Sequence, residues 1–524
     1  MDLANHAFDI RQLLESTAYP HEATSVQIVE THISWVLLTG EFAYKLKKQI
    51  RFEFIDYSSI QKRRQYCHDE VSLNRRFAPE LYLGVVPVIR KGDGTLYVDA
   101  DHFDDLRGSK STANAHVLAK PEIVEYAVKM KQFAQEQIVS AKINDSQLTP
   151  TVVAQFGSSI AKFHQSVETS PPLASAEMVD HFANALRENF STLEKPFGQS
   201  DWHLPLRDLR RWAENELSRS KELMFDRHAR GMVRRCHGDL HLKNIVLLDG
   251  RLVAFDGIEF NEDFQWIDIV NEVAFTLMDF AARGRADLGW TFLDAWLGQI
   301  GVDDGLRLLR LFVVYRALVR AKVTWLNPGN HPENRVQENL TSYIHSSGAP
   351  WDKYLKIAST FAFDIRAKLA ITHGFSGSGK STLALRWLQR HGGVRLRSDV
   401  ERMRINHISH LDRYSPQGKR LVYDRLLELA REVVDAGLPV IVDATFLQAD
   451  DRLRFQHLAA EMGVGYEIVH AEAPFEELRR RIENRQADPS EATVSVLESQ
   501  IRSHDPLRSD ERKFLHNVLQ GDFQ

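Results

Sequence analysis

Gly374-Phe375-Ser376-Gly377-Ser378-Gly379-Lys380-Ser381 is the stretch whose reading decides the fold of the C-terminal part of this chain. It follows Leu369–His373, an apolar run with strand character, and opens Lys380–His391, which reads as a helix. A strand, a glycine-rich turn and a helix start put several unsatisfied backbone N–H groups around one point, which suits phosphate oxygens. On this reading Gly374, Ser376, Gly377, Ser378, Gly379 and Thr382 line a phosphate cradle. Lys380 reaches the β- and γ-phosphates of ATP, and Ser381 is a ligand for Mg²⁺. The competing reading is a glycine-rich surface turn, which the flanking strand and helix argue against.

Outward from the loop the grammar is strand, loop, helix. Val394–Leu396 reads as a strand, 415–436 as a long helix ended by Gly437, and Pro439–Val442 as a buried strand. Gln448–Met462 is a helix and Tyr466–Val469 a further strand. The alternation predicts an α/β domain with a parallel sheet and crossover helices. Ser398-Asp399-Val400-Glu401-Arg402 follows the second strand, where acceptors bind at the carboxyl ends of parallel strands. Asp399 is placed to take a hydroxyl proton and Arg402 to hold an anionic part of an acceptor; a helix cap and a solvated arginine are the alternative. Asp443 closes the Ile441-Val442 strand and is either a Mg²⁺ carboxylate or a cap. In Leu478-Arg479-Arg480-Arg481-Ile482-Glu483-Asn484-Arg485, Arg481 and Arg485 lie one turn apart, as in a phosphate lid or a solvated face. Residues Lys368 to Asn517 resemble the small P-loop kinases of the gluconate kinase and polynucleotide 5′-kinase type, a group that includes zeta toxins and chloramphenicol phosphotransferase.

A second signature lies far upstream. His237-Gly238-Asp239-Leu240-His241-Leu242-Lys243-Asn244 is followed by Asp256, with two short strands (Asn244–Leu248 and Leu252–Phe255) joined at Asp249-Gly250-Arg251. The strands return Asp256 to the side of the loop. His237 to Glu259 resembles the aminoglycoside phosphotransferase and choline kinase families. The resemblance implies that Asp239 orients an acceptor hydroxyl, that Asn244 and Asp256 hold Mg²⁺, and that His237 braces the loop. It extends to Phe42-Ala43-Tyr44-Lys45, with Lys45 on the ATP phosphates and Glu70 as its helix partner; Lys47, two residues on and on the same strand face, is the other candidate. The family's phosphate-covering turn is often glycine-rich, whereas here it is Glu30-Thr31-His32-Ile33-Ser34.

Around these residues the pattern predicts strands at Val26–Glu30, Trp35–Leu38 and Phe42–Leu46, a helix over 59–77, and a hairpin of Leu83–Ile89 with Leu96–Val98. It predicts mainly helix over 120–229 and 268–322, then a breaker cluster at 327–332. The fold expected is an α+β protein-kinase-like domain over 1–350 (small lobe about 1–118, large lobe about 119–326), a boundary region 327–365, and an α/β P-loop domain over 366–524. The order as a whole resembles a class of bacterial chains fusing an aminoglycoside phosphotransferase to an ATP-binding domain.

The chain has 524 residues, 43% of them hydrophobic, and a net charge of −5, which gives no global case for nucleic acid or membrane partners. Cys67 and Cys236, two cysteines in so long a chain, read as reduced thiols. The first residues do not form a signal peptide, and no uncharged apolar run approaches a membrane span of about 18 residues. A soluble cytoplasmic protein is expected. The leading expectation is two ATP- and Mg²⁺-dependent phosphotransferase sites, each acting on the hydroxyl of a small molecule. The alternatives are a P-loop kinase regulated by a pseudokinase-like N-terminal domain, and a nucleic-acid-end kinase.

Overall fold

The computed structural model describes residues 8–52, 55–104, 122–170, 175–197, 201–326, 350–406, 416–484 and 493–516. The chain divides into two compact units, one of residues 1–148, 166–170 and 233–267, the other of 149–165, 171–232 and 268–524.

The first unit is built on a six-stranded sheet. Its strands are β1 (Gln27–Glu30), β2 (Ser34–Leu38), β3 (Phe42–Lys47), β4 (Tyr82–Arg90), β5 (Leu96–Val98) and β6 (Glu122–Lys131). They pair antiparallel throughout in the order β1-β2-β3-β6-β4-β5. Alternation along β3 sends Tyr44 and Leu46 into a core with Trp35, Leu37, Val86 and Val88. Lys45 and Lys47 therefore take the opposite face. Helix α1 (Ile60–Asn74) starts where the Ser59 hydroxyl accepts the Lys62 N–H, and packs Cys67 and Val71 against Leu81, Val85 and Val128. Later in the chain, β7 (Ile245–Leu248) and β8 (Arg251–Ala254) form the expected hairpin, with Leu248 opposite Arg251.

One expectation fails here. Residues 122–131, assigned to helix, form β6, which lies between β3 and β4. Ile123, Val124, Ala127 and Val128 recur at i, i+1, i+4 and i+5, a helical spacing. The strand is buried along most of its length, so the strict alternation of a half-exposed strand is absent. β6 also lies beyond the expected small-lobe limit near residue 118, so the sheet runs on to Lys131.

The second unit opens with long helices: α2 (Pro150–Ser166), α3 (Ser175–Phe197), α4 (His203–Ala229), α5 (Ile269–Ala281), α6 (Ala286–Ile300), α7 (Leu306–Leu326) and α8 (Asp352–Ser359). Every residue of α5 from Ile269 to Phe280 is buried, which an all-round apolar helix requires. Its few polar side chains are paired, Glu272 with His164 at 2.8 Å and Asn271 with Arg316 at 2.7 Å. The breaker cluster 327–332 lies outside the described residues.

The same unit then continues as β9 (Lys368–His373), α9 (Lys380–His391), β10 (Val394–Arg397), α10 (Ser398–Asn406), α11 (Pro416–Asp435), β11 (Val440–Asp443), α12 (Ala449–Glu461), β12 (Gly465–His470), α13 (Phe475–Glu483) and α14 (Val494–Ser503). The sheet is parallel, in the order β10-β11-β9-β12. The side-chain amide of Gln389 on α9 donates to the Thr291 hydroxyl on α6 at 3.1 Å, joining the helical and parallel-sheet parts of this unit.

Candidate active sites

In the first unit, Glu70 on α1 is fully buried and accepts from both lysines of β3, Lys45 and Lys47, each at 2.8 Å. The two ammonium groups then diverge. Lys45 reaches Asp256 Oδ1 at 2.6 Å, and Lys47 pairs with Glu259, which also accepts from Tyr57 Oη at 3.0 Å. Burial alone would drive both lysines toward neutrality. The carboxylates of Asp256, Glu70 and Glu259 around Lys45, and of Glu259 and Glu70 around Lys47, overcome it and hold both charged, with pKa values well above the ordinary range. Burial would raise Glu70 too, but the two lysines hold it below the usual carboxylate range. Burial raises Glu259, and Lys47 offsets only part of that.

Asp256 follows β8 with φ at 61°, a left-handed backbone that costs a non-glycine residue about 1–3 kcal/mol. The surroundings impose it. The Asp256 N–H donates to Tyr82 Oη at 3.0 Å, and the next N–H, of Gly257, donates to Asn74 Oδ1 at 2.8 Å. In the preceding loop, Asn244 Nδ2 donates to Asp239 Oδ2 at 2.9 Å and to the Asp239 carbonyl at 3.1 Å. His237 Nε2 bonds the Phe255 carbonyl at 2.9 Å, tying the loop to the end of β8. Gly238 has φ 86°, and a Cβ there would stand 2.6 Å from the Phe264 carbonyl oxygen, so the residue between His237 and Asp239 has to be glycine. Lys45, Glu70, Asp239, Asn244 and Asp256 thus lie in one connected network. Lys47 is the more deeply buried lysine, and only Lys45 touches Asp256.

The turn between β1 and β2 is closed on itself. The Thr31 hydroxyl donates to the Ser34 carbonyl at 3.0 Å and accepts the Ser34 N–H at 2.9 Å, while Lys48 Nζ anchors Glu30 at 2.6 Å. Thr31 is therefore engaged within the turn, and His32 is exposed.

We expect Glu70→Ala to cost the first unit about 3–5 kcal/mol, the cost of stripping one partner from a buried ionic network. Denaturant unfolding of the variant would measure this. A loss below about 1 kcal/mol would mean that Asp256 and Glu259 alone neutralise the two lysines.

In the second unit the glycine-rich loop folds as its sequence requires. Gly374 has φ 144°, and a Cβ there would lie 2.2 Å from the Ala471 carbonyl oxygen, so the chain just after β12 passes too close for any side chain. Lys380 is buried and its ammonium bonds the Phe375 carbonyl at 2.6 Å. Ser376 is held from α14, its N–H donating to Gln500 Oε1 at 3.0 Å and its hydroxyl accepting from Gln500 Nε2 at 3.0 Å. Ser378 Oγ is buried with no hydrogen-bond partner among the described residues, and the Thr382 N–H donates to the Gly379 carbonyl at 3.1 Å.

The Ser381 hydroxyl lies beside the Asp443 carboxylate. Burial raises the pKa of Asp443, and Arg395, then Ser381, pull it back. Asp399 and Arg402 pair with each other at 3.0 Å on α10. Arg481 bonds Glu477 at 2.7 Å and the Gly377 carbonyl at 3.3 Å, which lays it over the loop. Arg485 lies outside the described residues. Sequence reasoning missed Tyr82, Gln500 and Arg395, which have no local signal. It also missed Asn74, which the i, i+4 spacing from Glu70 on α1 marks.

At the end of β9, His373 Nδ1 lies 2.8 Å from His470 Nδ1. Burial, and then the His470 ring, push His373 from the ordinary 6.5 down to about 3. The folded state therefore holds this imidazole neutral. Its contribution to stability is complete above about pH 6.5 and is lost as the pH falls toward about 3, at up to about 1.4 kcal/mol per pH unit. We expect the second unit to lose about 2 kcal/mol from this group between about pH 6.5 and about pH 5. His373→Asn should remove that part of the dependence in denaturant titrations at the two pH values. An unchanged pH dependence would place the acid sensitivity elsewhere.

Known protein families match the chain in two segments. Residues 128–312 match the phosphotransferase enzyme family and residues 369–507 match a family described as AAA domain. An uncharacterized protein of Mycobacterium tuberculosis is 25% identical over 494 residues, covering 92% of this chain and 91% of its own. Among solved structures, an aminoglycoside phosphotransferase from Alicyclobacillus acidocaldarius is 12% identical over 66% of this chain and 93% of its own, with a TM-score of 0.35. An APS kinase from Mycobacterium tuberculosis is 28% identical over 23% of this chain and 70% of its own, with a TM-score of 0.21. The chain carries a protein-kinase-like phosphotransferase domain followed by a P-loop kinase domain with a parallel sheet, and it is a phosphotransferase enzyme.

Proposed function

We propose that the protein is a bifunctional ATP-dependent phosphotransferase, in which each domain transfers the γ-phosphoryl group to a hydroxyl of a small metabolite. The observation that carries this reading is the joining of Lys45, Glu70, Asp256, Asn244 and Asp239 into one network, in a chain that also carries a complete phosphate loop with Lys380 buried in it.

In the first site Lys45 binds the phosphates, Asp239 orients the acceptor hydroxyl and takes its proton, and Asn244 and Asp256 hold Mg²⁺. In the second, the loop and Lys380 bind the phosphates, Ser381 and Asp443 hold Mg²⁺, Asp399 takes the proton, and Arg402 and Arg481 face the anionic groups. The donor sets suit a hard cation, being carboxylate, amide and hydroxyl oxygens. Bound Mg²⁺ supplies charge neutralisation on the transferring oxygens.

One observation favours a second reading. The β1–β2 turn has no glycine and spends its threonine hydroxyl internally, which supports a nucleotide-sensing first domain that regulates the P-loop kinase. Calorimetry of Mg·ATP binding to the intact chain and to Lys380→Ala separates the two, together with an acceptor screen. Two nucleotide sites falling to one, with a transfer activity that survives the substitution, support the bifunctional enzyme. Two sites falling to one with no surviving activity support the regulator, and a single site falling to none excludes ATP binding at the first domain.

A further inference from the structure

Arg395 sits at the junction of the two parts of the second unit. Its side chain is 11% exposed, and those of Asp294 and Asp443 are 10% and 5% exposed. Asp294, on α6, takes one edge of the guanidinium, accepting Nη2 at 2.7 Å and Nε at 3.2 Å. The remaining nitrogen, Nη1, donates to the Ser381 carbonyl at 3.3 Å and stands 3.7 Å from Asp443 Oδ2, beyond hydrogen-bonding distance. Asp294 lies in the segment that matches the phosphotransferase family, whereas Arg395, Ser381 and Asp443 lie in the segment that matches the AAA domain.

We propose that Asp294 is a positioning residue for the metal site of the P-loop domain. By holding the Nε–Nη2 edge of Arg395 it keeps that guanidinium from forming a bidentate pair with Asp443, and so leaves the carboxylate open to Mg²⁺. This rests on the reading of Ser381 and Asp443 as the metal ligands. The physics is a competition. A buried carboxylate needs a positive partner, and the nearest guanidinium and a divalent cation are alternatives for that role. Bidentate pairing is the preferred geometry of arginine with a carboxylate; Asp294 has taken the Nε–Nη2 fork, and Nη1 is turned to the Ser381 carbonyl. A residue of the first matched segment thereby sets cation affinity in the second.

The test is the Mg²⁺ dependence of binding a non-hydrolysable ATP analogue to the full chain, read on the component of the isotherm that Lys380→Ala abolishes. Asp294→Asn frees the guanidinium. We expect the Mg²⁺ concentration for half-saturation to rise about 10–100-fold, as for other losses of support behind a metal ligand, with Mg²⁺-free analogue binding changed less than about twofold. The double variant D294N/R395Q removes the competitor and should return the Mg²⁺ dependence toward that of the wild type. Asp294→Glu, which keeps the charge and guards against misfolding of the asparagine variant, should stay near wild type.

An unchanged Mg²⁺ dependence in Asp294→Asn overturns the proposal. So does an equal loss of binding with and without Mg²⁺, or a double variant no better than the single one. If the wild type has no component sensitive to Lys380→Ala, the assignment of the nucleotide site itself falls, and this proposal with it.

Discussion

Asp239→Asn lowers turnover at the first site by about 10²–10⁴-fold, the range for removing a positioned general base, and leaves ATP affinity within a few-fold. The two effects separate if, as proposed, Lys45 binds the phosphates and Asp239 the acceptor. The Asp239 carboxylate is tied to Asn244 at 2.9 Å, whereas Lys45 is tied to Glu70 and Asp256. Asparagine keeps the size of the side chain and can still bond Asn244, so the loop retains its shape; it cannot accept a proton. Steady-state kinetics on an acceptor of the first domain, with Lys380→Ala as background to silence the second, would measure the effect. Turnover within tenfold of wild type would remove Asp239 from the chemistry.

The second large effect is at the phosphate loop. Lys380→Ala should abolish nucleotide binding at the P-loop site at ordinary ATP concentrations. It should also lower kcat there by at least about 10²–10³-fold, the loss that follows removal of one preorganised donor to developing charge. Lys380 is buried, and its ammonium bonds the Phe375 carbonyl of its own loop. Its ammonium is therefore already drawn out of water beside the loop that would hold the phosphates. A nucleotide isotherm unchanged by Lys380→Ala would refute the assignment.

Legibility followed sequence separation. The phosphate loop and the His237–Asn244 loop could be read because each is a continuous run whose backbone conformation is set by its own glycines. The hairpin at Asp249-Gly250 could be read for the same reason, and it returns Asp256 to Asn244. Lys45 and Lys47 could not be told apart in sequence, since alternation puts both on one face and both bond Glu70. Only the positions of Asp256 and Glu259, more than 200 residues away, distinguish them. The supports of each site were invisible for the same reason. Gln500 meets Ser376 across 124 residues, Tyr82 meets Asp256 across 174, and Arg395 meets Asp294 across 101. β6 was misread because a strand buried along most of its length loses its two-residue period, and its remaining apolar spacing imitates a helix.

The contact between Lys45 and Asp256 spans 211 residues, and this sets a clock on synthesis. A ribosome adding about 5–20 residues per second needs about 10–40 s to travel from the lysine to its aspartate. For that interval β3 and α1 exist with two lysines destined for burial and one carboxylate, Glu70, between them. An uncompensated ammonium resists leaving water, so the lysine face of the sheet stays hydrated until Asp256 and Glu259 emerge. The first unit thus finishes folding in step with translation of its last segment, and the Lys45–Glu70–Asp256 network is the final part to dry.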